Sequence, residues 1–265
     1  MKKWYAIFTA VLGVVCMVFL LNGRNNASAA NTQELISGTL QKLGVSDARS
    51  VAADDADCLV YVSADEGMSY YFNAETAVLE KIMNDSIEAM ELEQESMALE
   101  PDVLRNAALE FAANCIAHQM IGELFVTVET VSGDTTTYEI IEKYNGIPTG
   151  TKIGLIYRND GVLFGCAPHY GSVFVKKADG RVELVKGDDF IGEDEAIACA
   201  VEALCAELDS EIDDSVEIAV EMEALGGELF YSVVIQNADR DNSSRVFDVE
   251  IDAYTGDVLE ILYTL

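Results

Sequence analysis

The sequence predicts an α+β protein built from tandem helix-plus-antiparallel-sheet units behind an N-terminal signal or anchor segment. Three observations carry this reading. Apolar residues recur at helical spacing and then switch to a spacing of two, and the switch happens three times along the chain. Turn residues of hairpin type separate the period-two stretches. A ten-residue stretch in the first third of the chain is echoed near its end. The expected organisation is a targeting segment over 1–29, a first unit over 31–83, an acidic linker over 84–100, a middle unit over 101–188 and a last unit over 190–265. The 265 residues, half of them hydrophobic, suffice for such an arrangement.

Lys2 and Lys3 precede an uncharged apolar run, Ala6 to Leu21, and Ala27-Ser28-Ala29 offers a small-residue cleavage site. The run is shorter than the roughly 20 residues that a spanning helix needs. Trp4 and Tyr5, however, suit a membrane interface. A cleaved signal peptide and a retained N-terminal anchor both stay open. Either places the remainder outside the cytoplasm, secreted or held on the outer face of the cytoplasmic membrane, with the lysines inside. Any membrane contact is expected through this segment alone.

In the first unit, Asn31 and Glu34 read as a capping pair. Leu35, Ile36, Leu40 and Leu43 form the apolar stripe, and Gly44 is the stop. Strands follow near Cys58–Ser63 and Ser69–Asn73. The middle unit opens at Pro101, a favoured first helical residue, with Leu104, Ala108, Phe111 and Cys115 as its stripe. Strands are expected at 124–131 and 136–142. A turn over Tyr144–Pro148 follows, then a hairpin about Asn159-Asp160-Gly161 and another about Asp179-Gly180.

In the last unit Gly192-Glu193-Asp194-Glu195 opens a helix, with acids at the positive end of its dipole. Ile197, Val201, Leu204 and Leu208 are its expected stripe. Val216, Ile218, Val220 and Met222 then alternate with polar neighbours. Leu229–Gln236, Phe247–Ile251 and Val258–Tyr263 complete four antiparallel strands. The echo lies in Asn73–Ile82 and Asp252–Ile261, aligned with a one-residue gap: an Asx and a Thr make a turn and an apolar strand returns. The first unit therefore reads as a degenerate copy of the last.

The charge balance narrows the partners. Lys and Arg number 16, Asp and Glu 47, and the formal net charge is −31. Phosphate binding needs clustered cations, so nucleic acid is excluded as a partner. A protein or peptide partner remains, above all a basic one. Glu217, Glu221, Asp248, Glu250 and Asp252 all point away from the expected last helix. A solvated sheet face is the plain reading. A docking surface for a basic partner stands beside it, because like charges across strands are destabilising.

No catalytic signature is present: H-E-x-x-H, G-x-S-x-G and the phosphate-binding glycine loops are missing. His118 and His169 read as surface or capping histidines, and Cys166 with His169 lacks a third group to orient a base. Asp54, Asp55 and Asp57, like Asp239, Asp241 and Asn242, read as solvated turns rather than Ca²⁺ loops. Beyond Cys16, five widely spread cysteines remain, with no C-x-x-C pair. A zinc site is not expected, and one disulfide stays open without an assignment. No cofactor is expected.

Two signatures in the last unit resemble the PepSY family. One is the helix entry Ile191-Gly192-Glu193-Asp194-Glu195-Ala196-Ile197. The other is Phe247-Asp248-Val249-Glu250-Ile251-Asp252-Ala253-Tyr254-Thr255-Gly256-Asp257-Val258-Leu259. Gly192 stands where the family usually has Ser or Thr. The middle unit is more loosely similar to YcdB/YcdC-type extracytoplasmic repeats through Tyr144–Pro148 and the strand pair after it. The PepSY resemblance implies a cystatin-like helix on a sheet. It also implies a non-catalytic role in holding or regulating an extracytoplasmic peptidase, since such units occur in the propeptides of thermolysin-like metallopeptidases. With no peptidase domain after it, inhibition would act in trans. The alternative is an envelope scaffold or accessory protein with no peptidase partner.

Overall fold

The computed structural model describes residues 29–52, 57–63, 67–85, 97–117, 119–208, 212, 216–237 and 246–264. The signal or anchor segment, His118, most of the acidic linker, and the two Asp-rich loops apart from Asp57 lie outside them. Among the described residues are three helices, α1 (Ala29–Lys42), α2 (Pro101–Ile116) and α3 (Glu193–Leu208). No described helix is long and apolar enough to cross a membrane. The chain divides into two compact units, one comprising residues up to 142 with 152–170, the other 143–151 with 171–265.

The first unit holds α1, α2 and most of an eight-stranded sheet. Its strands are β1 (Arg49–Val51), β2 (Cys58–Ser63), β3 (Met68–Asn73), β4 (Leu79–Asn84), β5 (Glu123–Ser132), β6 (Thr135–Tyr144), β7 (Ile147–Arg158) and β8 (Leu163–His169). Their order is β1-β2-β3-β4-β8-β7-β6-β5. The sequence divides after residue 83, but the sheet does not. β4 pairs antiparallel with β8 through Ile82 opposite Cys166 and Met83 opposite Gly165. Strands from the first and middle sequence units thus share one core, which includes Ile36, Phe72, Leu79, Leu104, Ile140 and Leu155. Joining the sheets through β4 and β8 removes two exposed strand edges.

The helices show why side-chain size, and not only period, selects the buried face. In α1 the buried side carries Thr32, Ile36, Thr39 and Leu40, whereas Leu35 is 42% exposed, contrary to its expected place in the stripe. Thr39 can be buried because its Oγ1 donates to the Leu35 carbonyl at 3.1 Å. The helix starts at Ala29, so Asn31 lies inside it rather than at its cap. Its end is as expected: Gly44, with φ of 80°, donates to the Gln41 carbonyl, and Val45 donates to that of Leu40 at 2.9 Å.

The second unit contains a four-stranded antiparallel sheet in the order β11 (Val216–Leu225), β12 (Glu228–Asn237), β13 (Val246–Asp252), β14 (Val258–Thr264). A small hairpin, β9 (Phe174–Lys176) with β10 (Val182–Leu184), belongs to the same unit. α3 packs on one face of the four strands. Its fully buried residues are Ala196, Ala200 and Leu204, whereas Leu208 is 36% exposed and Ile197 and Val201 are half-buried. The stripe is rotated by one position from the expected Ile197–Val201–Leu204–Leu208. Small alanines let the helix backbone approach the sheet, and the larger side chains splay to its flanks. Beneath it lie Tyr231, Val233, Ile235, Phe247, Val249 and Ile251, all buried.

The echoed stretches fold alike. Asn73 Oδ1 accepts from the Glu75 and Thr76 amides at 3.1 and 3.0 Å. Asp252 Oδ1 accepts from those of Tyr254 and Thr255, both at 2.9 Å. Asn73 N donates to the Val78 carbonyl and Asp252 N to that of Asp257, each at 2.8 Å. A register shift follows at the same place, between Tyr71 and Phe72 in one and between Glu250 and Ile251 in the other. The expected one-residue gap disappears, because the structure matches Asn73–Ile82 to Asp252–Ile261 residue for residue.

Candidate functional site

The face of the C-terminal sheet opposite α3 carries seven carboxylates. The cause is strand periodicity combined with register. Tyr231, Val233 and Ile235 point to the helix, so their cross-strand neighbours Ile251, Val249 and Phe247 do too. Asp248, Glu250 and Asp252 therefore point the other way, opposite Val234, Ser232 and Phe230. On β11, Glu217 and Glu221 stand opposite Gln236 and Ser232 and share that face. All five expected residues are thus on one surface. Two further carboxylates join them, Glu223 opposite Phe230 and Glu260 opposite Glu250. Glu223 follows from extending the β11 alternation. Glu260 does not, because the bulge beside Glu250 resets the parity of β14.

These carboxylates differ in what holds them. Asp252 is part of the turn. Burial alone would raise its pKa, but the amides of Tyr254 and Thr255, the Thr255 hydroxyl and the charge of Lys186 outweigh it, leaving the carboxyl below its usual range. Asp248 accepts from Ser232 Oγ at 2.8 Å. Glu221 meets Lys143 at 3.4 Å, a half-exposed pair worth little by itself. Lys186 pairs with Glu228 and lies 5.4 Å above the Tyr254 ring.

Glu250 is the exception. Burial raises its pKa, and the neighbouring charges of Glu260, Asp248 and Glu223 raise it further. Glu217 is exposed and makes no hydrogen bond or ion pair among the described residues. The face presents acceptors, and this suits it to recognising ammonium or guanidinium groups rather than to making and breaking bonds.

The histidine chemistry considered from sequence does not assemble. Cys166 and His169 are three apart on β8 and so project from opposite faces. Burial, and then the charge of Lys152 across the strand pair, holds the His169 imidazole below its ordinary pKa. Among the described residues no group of three or more His, Cys, Asp or Glu could hold a metal ion.

Comparison with known proteins meets this geometry at the same elements. Residues 191–262, from the entry of α3 into β14, match the family model described as PepSY, peptidase propeptide and YPEB domain. Residues 191–262 are a PepSY domain. No curated protein matches the chain. Among solved structures the chain resembles the Bacillus megaterium YpeB C-terminal domain. That likeness has 11% sequence identity and a TM-score of 0.49, over 91% of this chain and 99% of that one. The acidic face lies wholly within the PepSY domain, on β11, β13 and β14.

Proposed function

We propose that this protein is a non-catalytic, extracytoplasmic PepSY-domain protein that binds a secreted or envelope peptidase and restrains it in trans. The observation that carries the reading is the PepSY domain with seven carboxylates on one sheet face. The description of the matched family names peptidase propeptides. The repulsion among Glu250, Glu260, Asp248 and Glu223 costs the isolated fold stability, and a basic partner surface would relieve it.

The test is affinity capture from an extracytoplasmic fraction, followed by inhibition assays on whatever peptidase is recovered. The reading expects a peptidase whose activity falls on adding the chain, and whose capture weakens steeply with salt. Recovery of envelope proteins without peptidase activity would instead favour a scaffold or accessory role. One observation speaks for that second reading: the eight-stranded sheet lies wholly outside the PepSY domain and would offer a separate surface for assembly.

A further inference from the structure

Two cysteines far apart in sequence meet in the core of the first unit. Cys115 sits in the last turn of α2 and Cys166 in the middle of β8. Their sulfurs are 3.9 Å apart, within S–H···S contact. Cys115 is fully buried and Cys166 is 3% exposed. Neighbouring side chains in the same core are Tyr138, Tyr157 and Tyr170. We propose that Cys115 and Cys166 form a disulfide when the chain folds under oxidising conditions, locking α2 onto the central strands of the eight-stranded sheet.

A disulfide holds its sulfurs at about 2.05 Å, so the two, 3.9 Å apart, must close by roughly 2 Å. The oxidant is a small-molecule or protein disulfide. One cysteine thiolate attacks it, forming a mixed disulfide and releasing one thiol. The second cysteine then displaces the other thiol. Two cysteine thiols are oxidised, one external disulfide is reduced to two thiols, and the two protons leave with them.

Burial also sets the timing. It pushes the Cys166 thiol well above its ordinary pKa, and the contact with Cys115 adds to this. The thiolate that exchange requires is therefore scarce once the core has closed. Oxidation belongs to the folding chain, and the finished bond is shielded from reductants. The stabilisation comes from closing the loop between the two cysteines in the unfolded chain.

The experiment refolds the full chain in oxidised and reduced glutathione and, separately, with a dithiol reductant. Thiols are counted after denaturation, linked peptides are mapped by mass spectrometry, and thermal unfolding is followed for both forms. The oxidised chain is expected to show two fewer thiols, a Cys115–Cys166 linked peptide and an unfolding midpoint higher by about 5 °C or more. Adding the same oxidant to the folded, reduced chain should link the pair far more slowly. The variant Cys115→Ala should abolish the link and the redox dependence of the midpoint. If that variant does not fold, the wild-type map alone decides. Unlinked cysteines after oxidative refolding, a link between other cysteines, or a linked form that melts no higher would each overturn the proposal.

Discussion

The first and last sheets of the chain use the same backbone device and then diverge on their outer faces. Both make an Asx turn after a bulge, with Phe72 matching Ile251, Asn73 matching Asp252 and Ala77 matching Gly256. At the next matched pair the chemistry differs. Tyr71 stands opposite Lys81, whose ammonium lies 5.6 Å from the ring centroid, an attractive pair. Glu250 stands opposite Glu260, a repulsive one. The fold therefore does not require an acidic pair at this place. What is shared between the sheets is structural, and the acidic pair peculiar to the last sheet is what the proposed recognition would use.

The largest effects should come from the shared core. Phe72 and Ile251 are both fully buried. Phe72→Ala should cost about 3–5 kcal/mol and Ile251→Ala about 2–5 kcal/mol in urea unfolding, through lost transfer energy and the cavity left behind. A loss under about 1 kcal/mol at either site would break the match between the two sheets.

The turn residues come next. Asp252→Ala removes three accepted hydrogen bonds and should cost about 1–2 kcal/mol; Asn73→Ala removes two accepted from amides and one donated to the exposed Glu80 carboxylate and should cost about 1 kcal/mol. The two sites should also differ with pH. The folded-state pKa of Asp252 lies below its unfolded value, so its contribution is present above the unfolded pKa and lost as pH falls through the folded one. Asp252→Asn should remove that acid sensitivity, as Asn73 has none. Glu250 has the opposite sign. Its folded pKa is raised, so it favours the folded state at low pH, and that contribution is lost as pH rises through the folded pKa. Stability curves for Asp252→Asn and Glu250→Gln across the acid range should therefore diverge in opposite directions from wild type.

Smaller effects sharpen the comparison. Gly256 has φ of 76°, and an added Cβ would come to 3.4 Å from Cys199 Sγ. Ala77 already tolerates φ of 58° at the matching place, with its methyl buried in the core. Gly256→Ala should thus cost only about 1 kcal/mol, the ordinary left-handed penalty, as measured by thermal unfolding. The smallest effect is a gain. Glu260→Lys rebuilds the Tyr71–Lys81 pattern as an opposite-charge pair and should stabilise by about 0.5 kcal/mol.

The parts of this architecture that were legible in the sequence are the local ones. The Asx–Thr turn, the Gly44 stop, Pro101 at the start of α2 and the alternation of β11 and β13 each depend on a few neighbouring residues. What the sequence hid depends on distant partners. The β4–β8 pairing that fuses two expected units has no local signal, since Ile82 and Cys166 meet only in the fold. The rotation of α3 toward Ala196 and Ala200 reflects how closely a helix can approach a sheet, which hydrophobic spacing alone does not encode. Glu260 was concealed by a bulge that changes strand parity. The Cys115–Cys166 contact joins a helix to a strand across 51 residues and has no local signal in the sequence.

The central claim is that Glu217, Glu250 and Glu260 serve the proposed recognition and not folding. The direct measurement is a combined variant, Glu217→Gln, Glu250→Gln and Glu260→Gln, which leaves the Lys143 and Ser232 contacts and the Asp252 turn in place. Its unfolding free energy and its capture of the proposed partner are compared with wild type. Stability equal to or above wild type together with loss of capture is the predicted result; lower stability, or capture that survives intact, would contradict it.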